Sequence, residues 1–430
     1  MTGPLRVAFV YPHADLGPSG EGIADALAVV LIELGRRLVE RGVSVTAFVR
    51  RRRGEPATSI LYGITVRRLR QLGDHLLFRL RVLDRLRPAD RPFRVSGLYY
   101  PFFVRGVARE LAHTGVDIVH LHNNACFLDT LAGRLPAADL VLHQHDHALA
   151  DFAPERTAAR LERARLLLTC SDHVRERVLE RFPAVAARAA TLHNGVDTRF
   201  LEVAADPAAS RTILFVGRLA PEKGVHLLLE AFDRIADRHP EARLVLVGAP
   251  DFSPKAFVDP FDRDPLIRPL APWFARPAAW RRHLEALAAR RPGRIRLPGP
   301  MLHRHLPAVM ADAAVFAFPT IWQEPFGMPP VEAMAAGLPV VAGRAGALPE
   351  TVEHDRTGLL VERGSVEALA EALDALLADP ARRRAMGEAG RRRVLERFRW
   401  ETIADRLLEL YRCHCPNAAA LRDRACGSPS

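Results

Sequence analysis

Short, wholly apolar runs alternate along this chain with longer stretches in which apolar residues return every three to four positions. The short runs, bounded by Gly, Pro or polar turns, read as buried strands, and the longer period reads as helices packed against them. In the first half, strands are expected at Val7–Val10, Val43–Val49, Ile64–Leu69, Ile118–His122, Leu140–His145, Leu166–Thr169 and Ala190–Leu192. Ile23–Arg41 is the clearest of the helices between them. A polar, Pro-containing stretch, Glu202 to Arg211, reads as a linker. The pattern then restarts with ILFVG (Ile213–Gly217), a helix from Val225, and LVLVG (Leu244–Gly248). Further strands fit Ile295–Leu297, Val315–Phe318 and Pro339–Ala342. Apolar strands alternating with helices specify open, parallel sheets covered on both faces. Two such α/β halves suit a chain of 430 residues and are expected to bind a ligand in the cleft between them.

Three segments break the rhythm. Ala249 to Arg291 is a long Pro- and aromatic-rich insertion, the kind of segment that serves as a lid or a passive surface addition. Arg67 to Arg94 carries Leu69, Leu72, Leu76, Leu80 and Leu83 at near-helical spacing among arginines. It reads as a solvated amphipathic helix, with weak peripheral membrane contact as the minority reading. The tail from Cys413 reads as disordered, since Cys413, His414 and Cys415 are too compact for an ordinary zinc site.

Composition narrows the function classes. A 49% hydrophobic content supports buried cores, and no run of about 20 residues is uncharged, as a membrane span would require. Leu5–Tyr11 lacks the basic start and cleavage site of a signal peptide. Five unpatterned cysteines suggest a reducing, cytoplasmic setting. All but two of the 61 basic residues are arginine, the exceptions being Lys223 and Lys255, and the net charge is +11. Dispersed arginines without interleaved aromatics argue against nucleic acid. The coding bias makes each retained lysine informative.

EPFGMPPVEAMAAG (Glu324–Gly337) sets two carboxylates, Glu324 and Glu332, around a Pro/Gly loop that enters a helix. The loop amides at that helix start suit an anion. Paired carboxylates also serve glycoside hydrolysis, but there both face one bond, about 5 to 9.5 Å apart. Acids that straddle an anion site fit a phosphorylated sugar carrier better. VGRLAPEKG (Val216–Gly224) supplies the complement. After a strand and the turn at Gly217, Arg218 and Lys223 offer a guanidinium fork and a compact charge for a diphosphate.

These motifs, with LPGPM (Leu297–Met301), FAFPTIWQEPFGMPPVEAMAAGLPVVA (Phe316–Ala342), GALPETV, TGLLV and HNGVD (His193–Asp197), resemble the retaining nucleotide-sugar glycosyltransferases of family 4. The likeness is dense in the second half and sparse in the first. It implies a GT-B fold, two Rossmann-like α/β/α domains facing across a cleft. The expected division is residues 1–201 for the acceptor, 202–396 for the nucleotide sugar, and a 397–412 helix crossing back to the first domain. In this resemblance Glu332 holds the ribose, Glu324 grips the transferred sugar, and Phe326, Gly327 and Met328 present amides to sugar or phosphate. Arg218 and Lys223 neutralise the leaving diphosphate, Leu297 to Gly299 border the base, and Ala345, Gly346 and Leu348 lie near the phosphates. The donor is UDP- or GDP-linked, and no metal or other cofactor is implied.

The first half carries the acceptor side of the resemblance. Gly20 and Gly22, in GPSGEG, occupy the phosphate-binding turn, though Glu21 interrupts the usual Gly-Gly doublet. His122 in DIVHLHN matches the active-site histidine, while His120 reads as a core residue. His145 and Asp146 in HQHDH match an acceptor loop. Four nearby histidines also raise a metal reading, set aside because parallel-strand ends collect such residues. The expected activity is retaining transfer to a small polar acceptor of specialised metabolism, an aminocyclitol or thiol-sugar type. A cell-envelope glycolipid acceptor and a sugar phosphorylase are the alternatives.

Overall fold

The structure is a computed structural model and describes residues 3–14, 16, 26–70, 72–80, 93–203, 205–250 and 264–421. It divides into two compact units, 1–194 with 400–430, and 195–399.

The first unit is built on eight strands: β1 Arg6–Val10, β2 Ser44–Arg50, β3 Thr58–Leu61, β4 Ile64–Leu69, β5 Ile118–His122, β6 Asp139–Gln144, β7 Leu166–Thr169 and β8 Ala189–Thr191. Their order is β3-β4-β2-β1-β5-β6-β7-β8, parallel except for the β3/β4 hairpin at one edge. The sequence reading missed β3. It is an edge strand with exposed Ile60, and its turn rests on Tyr62 and Gly63, both at positive φ. The apolar core joins β1, β2 and the helix Ala26–Glu40 to the helix Trp400–His414, through Phe9, Leu34, Leu38, Ile403, Leu407 and Tyr411.

Six parallel strands form the second unit: β9 Thr212–Val216, β10 Arg243–Val247, β11 Ile295–Gly299, β12 Val315–Phe318, β13 Val340–Gly343 and β14 Gly358–Val361. Their order is β11-β10-β9-β12-β13-β14. From the central pair the chain leaves β9 toward one edge and β12 toward the other. That reversal leaves a crevice beyond the carboxyl ends of β9 and β12, where open α/β sheets bind ligands.

Three expectations are corrected. Arg67–Arg94 is not one amphipathic helix. Arg67 to Leu69 finish β4, where Arg67 pairs with Glu110 at 2.8 Å and Arg68 is buried, and the following helix spans only Leu72–Phe78. Residues 81–92 lie outside the described residues. The stretch 202–211 is not a free linker, because the buried Arg383 guanidinium donates to the carbonyls of Pro207 and Ala208. The division falls earlier, after Asn194. The expected disordered tail, 413–430, is ordered through Leu421, and residues 422–430 lie outside the described residues. Cys415 and Ala418 are buried, and the Asn417 amide donates to Asp139 at 2.8 Å.

The insertion also takes a definite form. Residues 251–263 lie outside the described residues, but Pro277–Ala288 is a helix whose Trp280 is fully buried. Its indole Nε1 donates to the Leu219 carbonyl at 2.6 Å. This part of the insertion therefore packs under the loop after β9.

Candidate active site

The loops after β9 and β12, with the helix that follows the second, carry the donor-side acids and cations singled out from sequence. After β9 the chain turns through Gly217 and Arg218, makes one 3-10 turn at Pro221–Lys223, and starts the helix Val225–Ile235. Gly224 joins turn to helix at φ 69°, and a Cβ there would lie 2.0 Å from the Pro319 carbonyl oxygen. Only glycine lets the two loops approach this closely. The Glu222 carbonyl then accepts from the amides of Ile321 and Trp322 at 2.8 and 3.3 Å, which stitches the loops together.

Lys223 and Glu324 meet within this frame. Lys223 Nζ lies 2.6 Å from Glu324 Oε2, and both residues are buried. Trp322 Nε1 donates to the same oxygen at 2.7 Å, and Thr320 Oγ1 lies 3.5 Å from it. The ammonium also sits over the faces of Trp322 and Phe318, 4.9 and 5.3 Å from their centroids, an added cation–π attraction. All these donors converge on Oε2. Among the described residues no hydrogen bond reaches Oε1, which is left as an open acceptor beside a fully engaged partner atom.

Arg218 is placed differently. Its guanidinium is 42% exposed and lies 2.8 Å from the buried carboxylate of Glu222. The two cations therefore each hold a carboxylate, and the four charges cancel. Arg218 is held only by this partly exposed ion pair, whereas Lys223 is fixed by Glu324 and two rings.

The second acid is anchored by a residue that sequence reasoning passed over. Glu332 lies in the helix Met328–Ala335, is 3% exposed, and meets His303 Nε2 through Oε1 at 2.7 Å. Burial pulls the His303 pKa down, but the hydrogen bond and charge of Glu332, with Asp197 behind it, outweigh burial and raise it overall. Phe200 packs edge-on against the His303 ring at 5.2 Å. Gly327, at φ 87°, precedes this helix, Met328 opens it, and Pro329 and Pro330 occupy positions whose amides need no helical partner. Phe326 is buried against Phe398. Gly346 donates its amide to the Gln323 side chain, and Ala347 to the Glu324 carbonyl, so the turn after β13 braces the same loop. Leu297 and Gly299 lie on β11, with Leu297 37% exposed at the sheet edge.

The histidines fall in the first unit, at the ends of β5 and β6. His122 is fully buried, its Nδ1 3.0 Å from His145 Nε2. Burial lowers its pKa to about 3 and drives His120, His143 and His145 well below the ordinary value, so all four rings are neutral. His120 Nδ1 is 2.6 Å from the Tyr411 hydroxyl, as suits a core residue. Asp146 Oδ1 accepts from the Gln144 side chain and the Ala148 amide of its own loop, while Oδ2 accepts from the Asn123 side chain of the loop after β5. Gly20 and Gly22 lie outside the described residues.

Comparisons with known proteins agree with this architecture. A family model described as Glycosyl transferases group 1 matches residues 199–393, and one described as Glycosyltransferase Family 4 matches residues 27–200. D-inositol 3-phosphate glycosyltransferase of Kineococcus radiotolerans is 30% identical over 462 residues, 98% of this chain and 96% of that one. Alpha-maltose-1-phosphate synthase of Mycolicibacterium smegmatis is 34% identical over 279 residues, 60% of this chain and 65% of the relative. Sucrose-phosphate synthase from Thermosynechococcus elongatus superposes with a TM-score of 0.70 at 25% identity, covering 95% of this chain and 98% of that structure.

The molecule is thus a glycosyltransferase with the GT-B fold. The chain belongs to the group 1, family 4 glycosyltransferases, enzymes of the nucleotide-sugar type. Among the described residues no helix is long and apolar enough to cross a membrane.

Proposed function

We propose that this enzyme moves a hexosyl group from a UDP- or GDP-linked sugar to a hydroxyl of a small polar acceptor, with retention at the anomeric carbon. The observation that carries the reading is the Lys223–Glu324 pair, in which three neighbours converge on Oε2 and leave Oε1 to accept from a sugar hydroxyl. Glu332, oriented by His303, holds the ribose, and Leu297 to Gly299 border the base. Lys223, Arg218 and the amides from Phe326 to Met328 receive the charge that develops on the diphosphate as the anomeric bond stretches. Each well-aimed donor contributes about 3 kcal/mol. The acceptor attacks from the leaving group's own face, and a diphosphate oxygen takes its proton. The transfer requires no metal, because fixed cations supply the charge. We assign no proton transfer to His122, whose ring is fully buried and bonded to His145.

For the acceptor, the names of two relatives that span nearly the whole chain, an inositol phosphate glycosyltransferase and a sucrose-phosphate synthase, favour a phosphorylated polyol or sugar of central metabolism over an aminocyclitol. The test pairs a thermal-shift screen of nucleotide sugars with product analysis by NMR. One donor should raise the melting temperature, transfer should proceed without added Mg²⁺ or Mn²⁺, and the product should keep the donor's anomeric configuration. Glu332→Ala and Lys223→Ala should abolish transfer while remaining folded. Full activity in both variants would sink the assignment, and phosphate-dependent cleavage of an unactivated disaccharide would replace it with a phosphorylase.

A further inference from the structure

Four imidazoles pack together inside the first unit, and the transfer reading leaves them unexplained as a group. β5 and β6 are parallel neighbours with His122 registered opposite His143, so their alternating histidines share one region. His120 and His122 stack with centroids 4.7 Å apart, His122 and His145 stack at 5.2 Å, and His143 and His145 lie tilted at 3.9 Å. All four residues are buried. Such a concentration of polar rings in an apolar core needs compensating partners.

The hydrogen bonds do not supply enough of them. His120 Nδ1 has the Tyr411 hydroxyl, and His122 Nδ1 has His145 Nε2. His120 Nε2, His122 Nε2 and His145 Nδ1 have no partner among the described residues, and the His143 ring has only a poorly aligned approach to the Leu192 backbone. A ring nitrogen from each of His120, His122 and His143 lies within 4.8 Å of the other two.

We propose that His120, His122 and His143 form a buried binding site for a divalent d-block cation of the zinc type. Three neutral imidazoles are a borderline-soft nitrogen donor set, suited to zinc or cobalt and unsuited to calcium or magnesium, which require oxygen ligands. The outer contacts match this role. A ligating imidazole usually gives its other N–H to a neighbour that fixes its tautomer, as Tyr411 can do for His120 and His145 for His122. A tetrahedral ion bonded at 2.0–2.1 Å needs the nitrogens about 3.4 Å apart, so modest side-chain rotations close the set and one water completes it. The ion would tie β5 to β6 and, through Tyr411, to the helix Trp400–His414. Its role is structural, and all three ligands lie in the first unit.

Metal analysis of the full-length, untagged enzyme tests the site directly. The purified protein should retain a single zinc-type ion through dialysis and release it to a strong chelator. Chelator-stripped protein titrated with Co²⁺ should gain the visible absorption of a tetrahedral, nitrogen-rich site, saturating at one equivalent. His143→Gln, a position outside the transfer machinery, should lose that band. Tyr411→Phe keeps the three ligands and should weaken Co²⁺ binding about 10- to 100-fold. The proposal is overturned if stripped wild-type protein develops no such band, which needs no variant to fold, or if His143→Gln reproduces it unchanged. Metal content and colour report on this site whether or not transfer is observed.

Discussion

Glu324 and Glu332 differ in their partners more than in their position along the chain. Glu324 is held by a permanent cation, whereas Glu332 depends on an imidazole whose protonation is tuned by the carboxylate itself. The distinction has a pH consequence. The His303 pKa is raised in the folded state, so its contribution to stability is fully present below the unfolded histidine value near 6.5 and fades as pH rises through the folded value. His303→Gln keeps a donor but not the charge. Wild-type protein should therefore be more stable than the variant by on the order of 1 kcal/mol at pH 6, near the low end for charged hydrogen bonds because the ring retains some exposure. The gap should close by pH 9. Urea unfolding across that range checks this, and a gap independent of pH would dismiss the charged pair. Spacing and loop chemistry had marked Lys223, Glu324 and Glu332, because each sits in a Gly/Pro-punctuated motif. His303 carried no such mark: its partner is 29 residues away and they meet only through the fold.

At the level of elements, the site rests on two loops that leave adjacent strands and cross at Gly224. The strand–turn–helix pattern of VGRLAPEKG was legible because apolar β9 ends abruptly at a glycine. Its approach to Pro319 was not, since nothing local in either segment encodes a contact between β9 and β12 loops. Gly224→Ala tests how tightly that crossing is set. The new methyl would meet the Pro319 carbonyl oxygen at 2.0 Å, in a backbone conformation that L-residues rarely adopt. A loss of about 1–3 kcal/mol is expected from overpacking and strain. Because Lys223 is the preceding residue, donor affinity should fall as well, by about tenfold if the ammonium loses one good contact. Chemical denaturation and donor titration measure the two effects separately. An unaltered protein in both would mean that the loops have more room than this packing allows. The missed edge strand β3 is held by pairing across a hairpin, and its own apolar periodicity is weak. The short helix after β4 is held instead by Asp74, which accepts from the Phe102 and Phe103 amides.

For the whole molecule, the informative fact is that the chain's last helix belongs to the core of its first unit. Two parallel α/β halves followed from apolar periodicity alone, but the tail looked structureless because CHCPNAAAL has no amphipathic period long enough to read. What orders it is tertiary. Cys415 and Ala418 are buried, and the Asn417 amide donates to Asp139 at 2.8 Å. The expected helix before them is pinned by Arg37–Glu401 at 2.9 Å and Arg41–Asp405 at 2.6 Å, with Leu407 and Tyr411 fully buried among residues of the first sheet. Truncating Leu407 separates the two units thermodynamically. Leu407→Ala leaves a cavity in the first unit and should cost about 2–5 kcal/mol there, depending on how far the core relaxes. Every donor-side residue assigned above lies in the second unit, so the stabilisation of that unit by a saturating nucleotide sugar should be unchanged. Calorimetry with and without donor can read both, because ligand stabilises only the state that binds it, by RT ln(1 + [L]/Kd). The expected trace is a transition lowered by the mutation beside one still raised by donor. If Leu407→Ala instead abolished the donor response and left the first transition in place, the helix would have to be reassigned to the nucleotide-sugar unit, and with it the division of labour between the two halves.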